Sequence, residues 1–317
     1  MKKLIYLLLT LPLLFTSCQN DEQAVSEETV QVSFTAGLPQ QMGTRASSSS
    51  SVDKLYCAVF ENGVEITALR ETIDIVDDQD LVFAPRLIRG RTYDIAFWAS
   101  KDGAYNVTNM KSISRNQGVA EENFDAFTAC TSITVNGNAS QTITLYRPLA
   151  QLKLGVTEED WNGVANPATF NMVPTKIQLK LNAYTAFNAL EGEAVGNNAE
   201  EITYMLDATG ELFDVTIAQS NGTSTNKTFK SIGMCYVLMK GTLQNESSTS
   251  PVTFSIFDQS TPIANAIREN VMIPYVPLRS NYKTHLVGGL LTGTITYNIA
   301  LYTGDYVTDN DHNKEIE

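Results

Sequence analysis

Imidazole is nearly missing from this chain of 317 residues, whose two histidines are His285 and His312. With so few general bases on offer, no G-x-S-x-G, no H-E-x-x-H and no Gly-rich phosphate loop, acid–base, nucleophilic and nucleotide chemistry lack their usual residues. Gly288-Gly289-Leu290-Leu291-Thr292-Gly293 has the wrong spacing for a nucleotide fingerprint and suits a bend between strands. Positive charge is also scarce. Lys and Arg number 22 against 35 Asp and Glu, a net charge of −13, and no basic cluster stands out to hold a nucleic acid or an anionic surface. The 4 cysteines include no C-x-x-C pair, so neither a zinc site nor a disulfide framework is indicated. Alternate oxygens in Asp309-Asn310-Asp311-His312-Asn313 imitate half a calcium loop, but Lys314 replaces the required Gly and no twelfth-position Glu follows. No metal, no cofactor and no enzyme activity are expected.

Long apolar runs are absent too. The longest, Leu4 to Phe15, follows Met1-Lys2-Lys3 and is shorter than the roughly 20 residues a membrane-spanning helix needs. A basic start, a short apolar stretch and then Ser17-Cys18 read as a secretory signal. The cysteine at the cut makes it resemble a bacterial lipobox, with residues 1–17 removed and lipid attached to Cys18. Loss of Lys2 and Lys3 leaves 20 basic and 35 acidic side chains, a net charge of −15. Residues 18–29 form an acidic tether. Of the other cysteines, Cys57 and Cys235 lie in apolar runs and read as small core residues. Among Cys57, Cys130 and Cys235 one disulfide has room to form, but its partners are not named by the sequence.

What the chain has in quantity is short alternating segments. Val30, Val32, Phe34 and Ala36 alternate with Gln31, Ser33 and Thr35, and the same period of two returns at 92–98, 142–146, 176–181, 252–257 and 294–299. Asn62-Gly63, Asn136-Gly137 and Asn221-Gly222 supply hairpin punctuation. Residues 119–129 and 262–270 could each form a short helix, and Glu158-Glu159-Asp160 reads as a loop edge. Trp98 alternates like a core residue. The expectation is an all-β chain of two sandwiches, with residues 30–147 in the first and 148–317, including a polar tail, in the second.

Gly43-Thr44-Arg45-Ala46 precedes five serines, Ser47 to Ser51, a run unable to bury apolar surface. Arg45 reads either as an arginine in a loop joining two strands or as a site for an extracellular Arg-specific protease, cutting between Arg45 and Ala46. Cleavage would release the strand carrying Val30, Val32 and Phe34, forfeiting about 5–9 kcal/mol of apolar burial. An open sheet edge would remain, ready to take a strand from another chain.

The lipobox, the early strand ending in Phe34-Thr35-Ala36-Gly37, the Gly43-Thr44-Arg45-Ala46 loop, Leu145-Tyr146-Arg147-Pro148-Leu149-Ala150-Gln151-Leu152 and the stretch Val276 to Thr292 together resemble fimbrillins, the lipoprotein pilus subunits of gram-negative oral and gut anaerobes. That resemblance implies two tandem transthyretin-like (Greek-key) β-sandwich domains and a lipid anchor in the outer membrane. It also implies proteolysis at Arg45 and partnership with other pilin subunits by strand exchange. Ile295, Tyr297, Ile299 and Leu301 form either a donor strand or the completion of the chain's own second domain. A competing reading is a carbohydrate-binding outer-membrane lipoprotein of a glycan-uptake system, which would show exposed aromatic platforms.

Overall fold

The computed structural model describes residues 28–38, 52–76, 79–165, 172–196, 198–218, 223–239, 247–258, 266–302 and 314–316. Cys18, Arg45, Ala46 and His312 lie outside them. The described chain is all-β, with a single α-helix among the described residues.

Strands β1 (Thr29–Gly37), β2 (Lys54–Glu61), β3 (Val64–Glu65), β4 (Glu71–Asp74), β5 (Leu81–Phe83), β6 (Arg86–Ile88), β7 (Thr92–Ser100), β8 (Tyr105–Asn106), β9 (Ile113–Arg115), β10 (Ala126–Thr134) and β11 (Ala139–Thr144) make up the first half. One sheet runs β11-β1-β5, with β6 also paired to β1; the sheet facing it runs β10-β7-β2-β3, with β4 also on β2. Their facing sides share a core that includes Val32, Phe34, Leu55, Cys57, Ile95 and Phe97. Asn62 and Gly63 both take positive φ between β2 and β3, as a two-residue Asn-Gly hairpin requires.

The second half contains β12 (Leu149–Val156), α1 (Glu158–Ala165), β13 (Lys176–Ala183), β14 (Ala186–Asn188), β15 (Glu193–Ala194), β16 (Glu200–Asp207), β17 (Leu212–Ala218), β18 (Ser224–Leu238), β19 (Ser247–Phe257), β20 (Ala266–Arg279), β21 (Lys283–Gly289), β22 (Thr296–Tyr302) and β23 (Lys314–Ile316). Here the sheets run β17-β18-β12-β21-β22-β23 and β16-β13-β19-β20, and enclose a second core. A small sheet, β15-β14-β9-β8, joins strands of both halves. Around it Trp98, Tyr105, Phe187, Leu149 and Tyr236 form a third apolar cluster against the outer side of β7. This explains why β7 is buried on both faces: Phe97 points into one core and Trp98 into another. Cys57, Cys130 and Cys235 are all free thiols.

Three local expectations need correction. Residues 119–129 hold one 3-10 turn, Glu121–Phe124, before β10 begins. Residues 266–270, the described part of the second expected helix, open β20 and pair with β19. Conversely, Glu158, Glu159 and Asp160 begin α1 and are not a loop edge. Thr157 starts this helix, its hydroxyl accepting from the Asp160 amide at 3.1 Å.

Asp160 then fixes a distant loop. Its buried carboxylate accepts from the amides of Leu290 (2.7 Å), Leu291 (2.6 Å) and Thr292 (2.8 Å), and from the Thr292 hydroxyl (2.5 Å). The glycine-containing bend between β21 and β22 is thus held by one side chain. Asp160→Ala should cost about 3 kcal/mol or more by urea unfolding, because two buried amides and one partly buried amide lose a charged acceptor at once. Faster hydrogen exchange at Leu290, Leu291 and Thr292 should accompany it. Unchanged exchange there would refute the clasp.

Candidate functional site

The position of β1 is unusual for the first described strand of a chain. It lies inside its sheet, parallel to β11 on one side (Val32↔Ala139 to Gly37↔Thr144) and antiparallel to β5 and β6 on the other. The alternation Val30, Val32, Phe34, Ala36 puts successive apolar side chains on one face. Val32 and Phe34 are fully buried, and Val30 is half-buried. The Phe34 ring packs 6.2 Å from Phe83 on the neighbouring strand and 5.9 Å from Phe97 in the opposite sheet, centroid to centroid. Phe83 and Phe97 stand 6.2 Å apart, closing a triangle of rings whose third corner β1 provides.

Both ends of β1 are tied. The Arg89 amide donates to the Glu28 carbonyl at 2.8 Å, and its guanidinium to the Glu28 carboxylate at 2.9 Å. The Gln31 amide donates to Asn138 Oδ1, and the Leu145 amide to the Gly37 carbonyl. Taking β1 away would therefore leave a slot with unpaired backbone on both walls, β11 and β5/β6, floored by Phe83 and Phe97. Beyond Leu38 the chain enters residues 39–51, which contain Arg45 and are outside the described residues.

The residues considered as a donor face lie elsewhere. β22 pairs with β21 along its length and with β23 on its other side, within the chain's own second sheet. Ile299 and Leu301 are buried there, while Ile295 and Tyr297 are partly buried against the second core. Of the aromatics that could form a binding platform, Trp98 is core and Trp161 packs partly against the second core, whereas Tyr275 is 74% exposed. The segment Arg147-Pro148 adds a feature not visible in the sequence. Arg147 forms a bidentate pair with Asp125 (2.6 and 2.8 Å), nearly excluded from solvent, and sits 4.8 Å over the Phe127 ring.

Residues 22–316 match the family of unknown function DUF6562. The chain belongs to that family. No curated protein matches it. Among solved structures, this DUF6562 protein is similar to a candidate polysaccharide-binding protein of Bacteroides thetaiotaomicron, with 9% identity, a TM-score of 0.51 and 91% of this chain and 98% of that one covered. Two looser matches are the fimbrial anchor protein Mfa2 of Porphyromonas gingivalis (11% identity, TM-score 0.45, 86% and 97% covered) and a candidate adhesin of Bacteroides ovatus (11%, 0.47, 91% and 96%). The first shows a shared fold for this DUF6562 chain, and the looser two add nothing to that.

Among the described residues, no helix is long and apolar enough to cross a membrane and no group of His, Cys, Asp and Glu is placed to hold a metal.

Phe34→Ala should destabilise the protein by about 3–5 kcal/mol in urea unfolding, since it removes one corner of the ring triangle from a fully buried site. Arg147→Met should cost a similar amount, about 3–5 kcal/mol, by leaving Asp125 buried without its cation. A loss under about 1 kcal/mol in either variant would contradict the packing described.

Proposed function

We propose that this chain is a fimbrillin-like surface subunit, built as two transthyretin-like sandwiches divided near Arg147-Pro148. In this reading it is lipidated at Cys18, held at the outer membrane or in a fimbrium, and used in adhesion. An Arg-specific protease cuts between Arg45 and Ala46, β1 leaves, and a strand from another pilin subunit takes its place. The observation that supports this reading is that β1 is both the first described strand of the chain and an interior strand of its sheet. A single cut in residues 39–51 would release it without interrupting any other described strand. The slot it fills is lined by apolar groups at a spacing of two residues, which suits another β-strand of similar alternation.

The burial of Ile299 and Leu301 in the second sheet favours the accepting role over the donating one. Withdrawing β22 would expose part of the second core and break pairing on both its edges. An anchor or tip subunit, which needs to accept a strand but not to give one, fits this cost better than a stalk subunit.

The test is strand exchange at the slot. The chain is treated with an Arg-specific protease and mixed with a fluorescent peptide of residues 29–37, and incorporation is followed on non-denaturing gels. The cut chain should take up labelled peptide over hours, while the uncut chain and the Arg45→Ala variant take up none. Equal labelling of cut and uncut protein, or no labelling of the cut protein, would eliminate the exchange mechanism.

A further inference from the structure

A separate cavity, lined by no residue of β1, lies on the outer side of the second half. It measures ≈ 660 Å³, within the range of small-molecule sites. Its floor is the outer face of β12 and β21, where Lys153 and His285 are register partners and Lys283 lies two residues before His285 on β21. β17 contributes Phe213, and Glu122, just before β10 in the first half, stands at the rim.

His285 is the anomaly. It is 6% exposed, and neither ring nitrogen has a hydrogen-bond partner, although the ring is packed edge-on to Phe213 (5.3 Å) and against Tyr302 (4.9 Å). Packing alone would be served by a phenylalanine. Burial, with Lys283 and Lys153 nearby, holds the imidazole well below its usual pKa, so it is neutral at pH 7. A neutral imidazole needs one donor and one acceptor, and a hydroxyl, able to act as either, can serve both nitrogens.

The charges around it point the same way. Glu121, Asp207 and Asp214 line the cavity but are engaged by Arg115, Lys176 and the Thr228 hydroxyl. Lys153 and Lys283 on the floor and Glu122 and Glu211 on the rim put both signs of charge in the lining, and Lys153 lies in the field of Glu211. Cations meet the lysines and anions meet the carboxylates, whereas a neutral polyol is repelled by neither. Met234 and the Phe213 ring, one face of which carries Lys153 Nζ at 4.1 Å, supply apolar surface for C–H groups.

We infer that this cavity is a binding site for a neutral, hydroxyl-rich glycan segment that seats over His285 and, by shifting the side chains that seal its ring nitrogens, gives them sugar hydroxyls as partners. The site deepens the adhesive reading by giving it a ligand class, yet it uses no residue of β1. It is therefore tested on full-length, uncut protein, and its failure leaves strand exchange untouched.

Because the chain has 2 histidines, ring-¹⁵N-histidine labelling gives a two-residue spectrum in which His312 serves as internal control. Maltotriose, cellotriose, mannotriose, galactotriose and chitotriose are titrated in turn, alongside trigalacturonate and chitosan trimer as charged counterparts. At least one neutral trisaccharide should shift the His285 signals saturably and leave those of His312 in place. His285→Phe, which keeps the ring packing, should weaken binding tenfold or more by calorimetry. Glu211→Gln, at an exposed rim position, should weaken it severalfold and provides the readout if the first variant does not fold. The inference is overturned if no neutral trisaccharide moves His285 up to millimolar concentration, if neither variant alters affinity, or if a charged trimer binds more tightly than its neutral counterpart.

Discussion

The first half of this protein depends on an apolar wedge. Phe34 fills the space between Phe83 on the adjacent strand and Phe97 in the facing sheet, and Val32 and Ala36 extend the same face along β1. Because β1 is flanked on both sides, its backbone groups satisfy those of β11 as well as those of β5 and β6. Burial of β1 organises the rest of the sheet, and, as the first described strand, β1 can be removed without cutting the connections among the other described strands.

The two halves repeat this plan with different consequences. β12 opens the second half as β1 opens the first, and it too lies inside a sheet, parallel to a late strand, β21. Its Leu152, Leu154 and Val156 are buried as Val32 and Phe34 are. The difference lies in what precedes each strand. β12 follows β11 through Leu145-Tyr146-Arg147-Pro148, pinned by the Arg147–Asp125 pair and by mutual backbone hydrogen bonds between Tyr146 and Thr128. That junction locks the second inserted strand in place. The first has at its N-terminal end the Glu28–Arg89 pair, an exposed ion pair of the kind that contributes little.

Much of this was legible in residue order. The alternation of Val30 to Ala36 gave the inward face of β1, and the apolar settings of Cys57 and Cys235 marked them as core residues, because a half-buried strand writes its burial directly into a period of two. Elements whose identity is decided by distant partners were not readable. Glu158-Glu159-Asp160 looks like solvated acid until the Leu290–Thr292 amides converge on Asp160, and the residues opening β20 are strand because β19 lies beside them. The cavity around His285 is assembled from segments near 121, 153, 213 and 285, so no local pattern could announce it. A lone strand histidine gave no hint that both its nitrogens would be left without partners.

The parallel pairing of β1 with β11 also fixes how the protein bears load. In parallel neighbours, the entering end of one strand and the leaving end of the other point in opposite directions. Tension applied between the start of the chain and the body beyond β11 therefore acts along the strands, stressing all six register pairs from Val32↔Ala139 to Gly37↔Thr144 simultaneously. An antiparallel arrangement would peel one bond at a time. A molecule held at one end in moving fluid would thus resist pulling in shear, with the hydroxyl-, methyl- and ring-bearing faces of one short strand serving as its mechanical fuse.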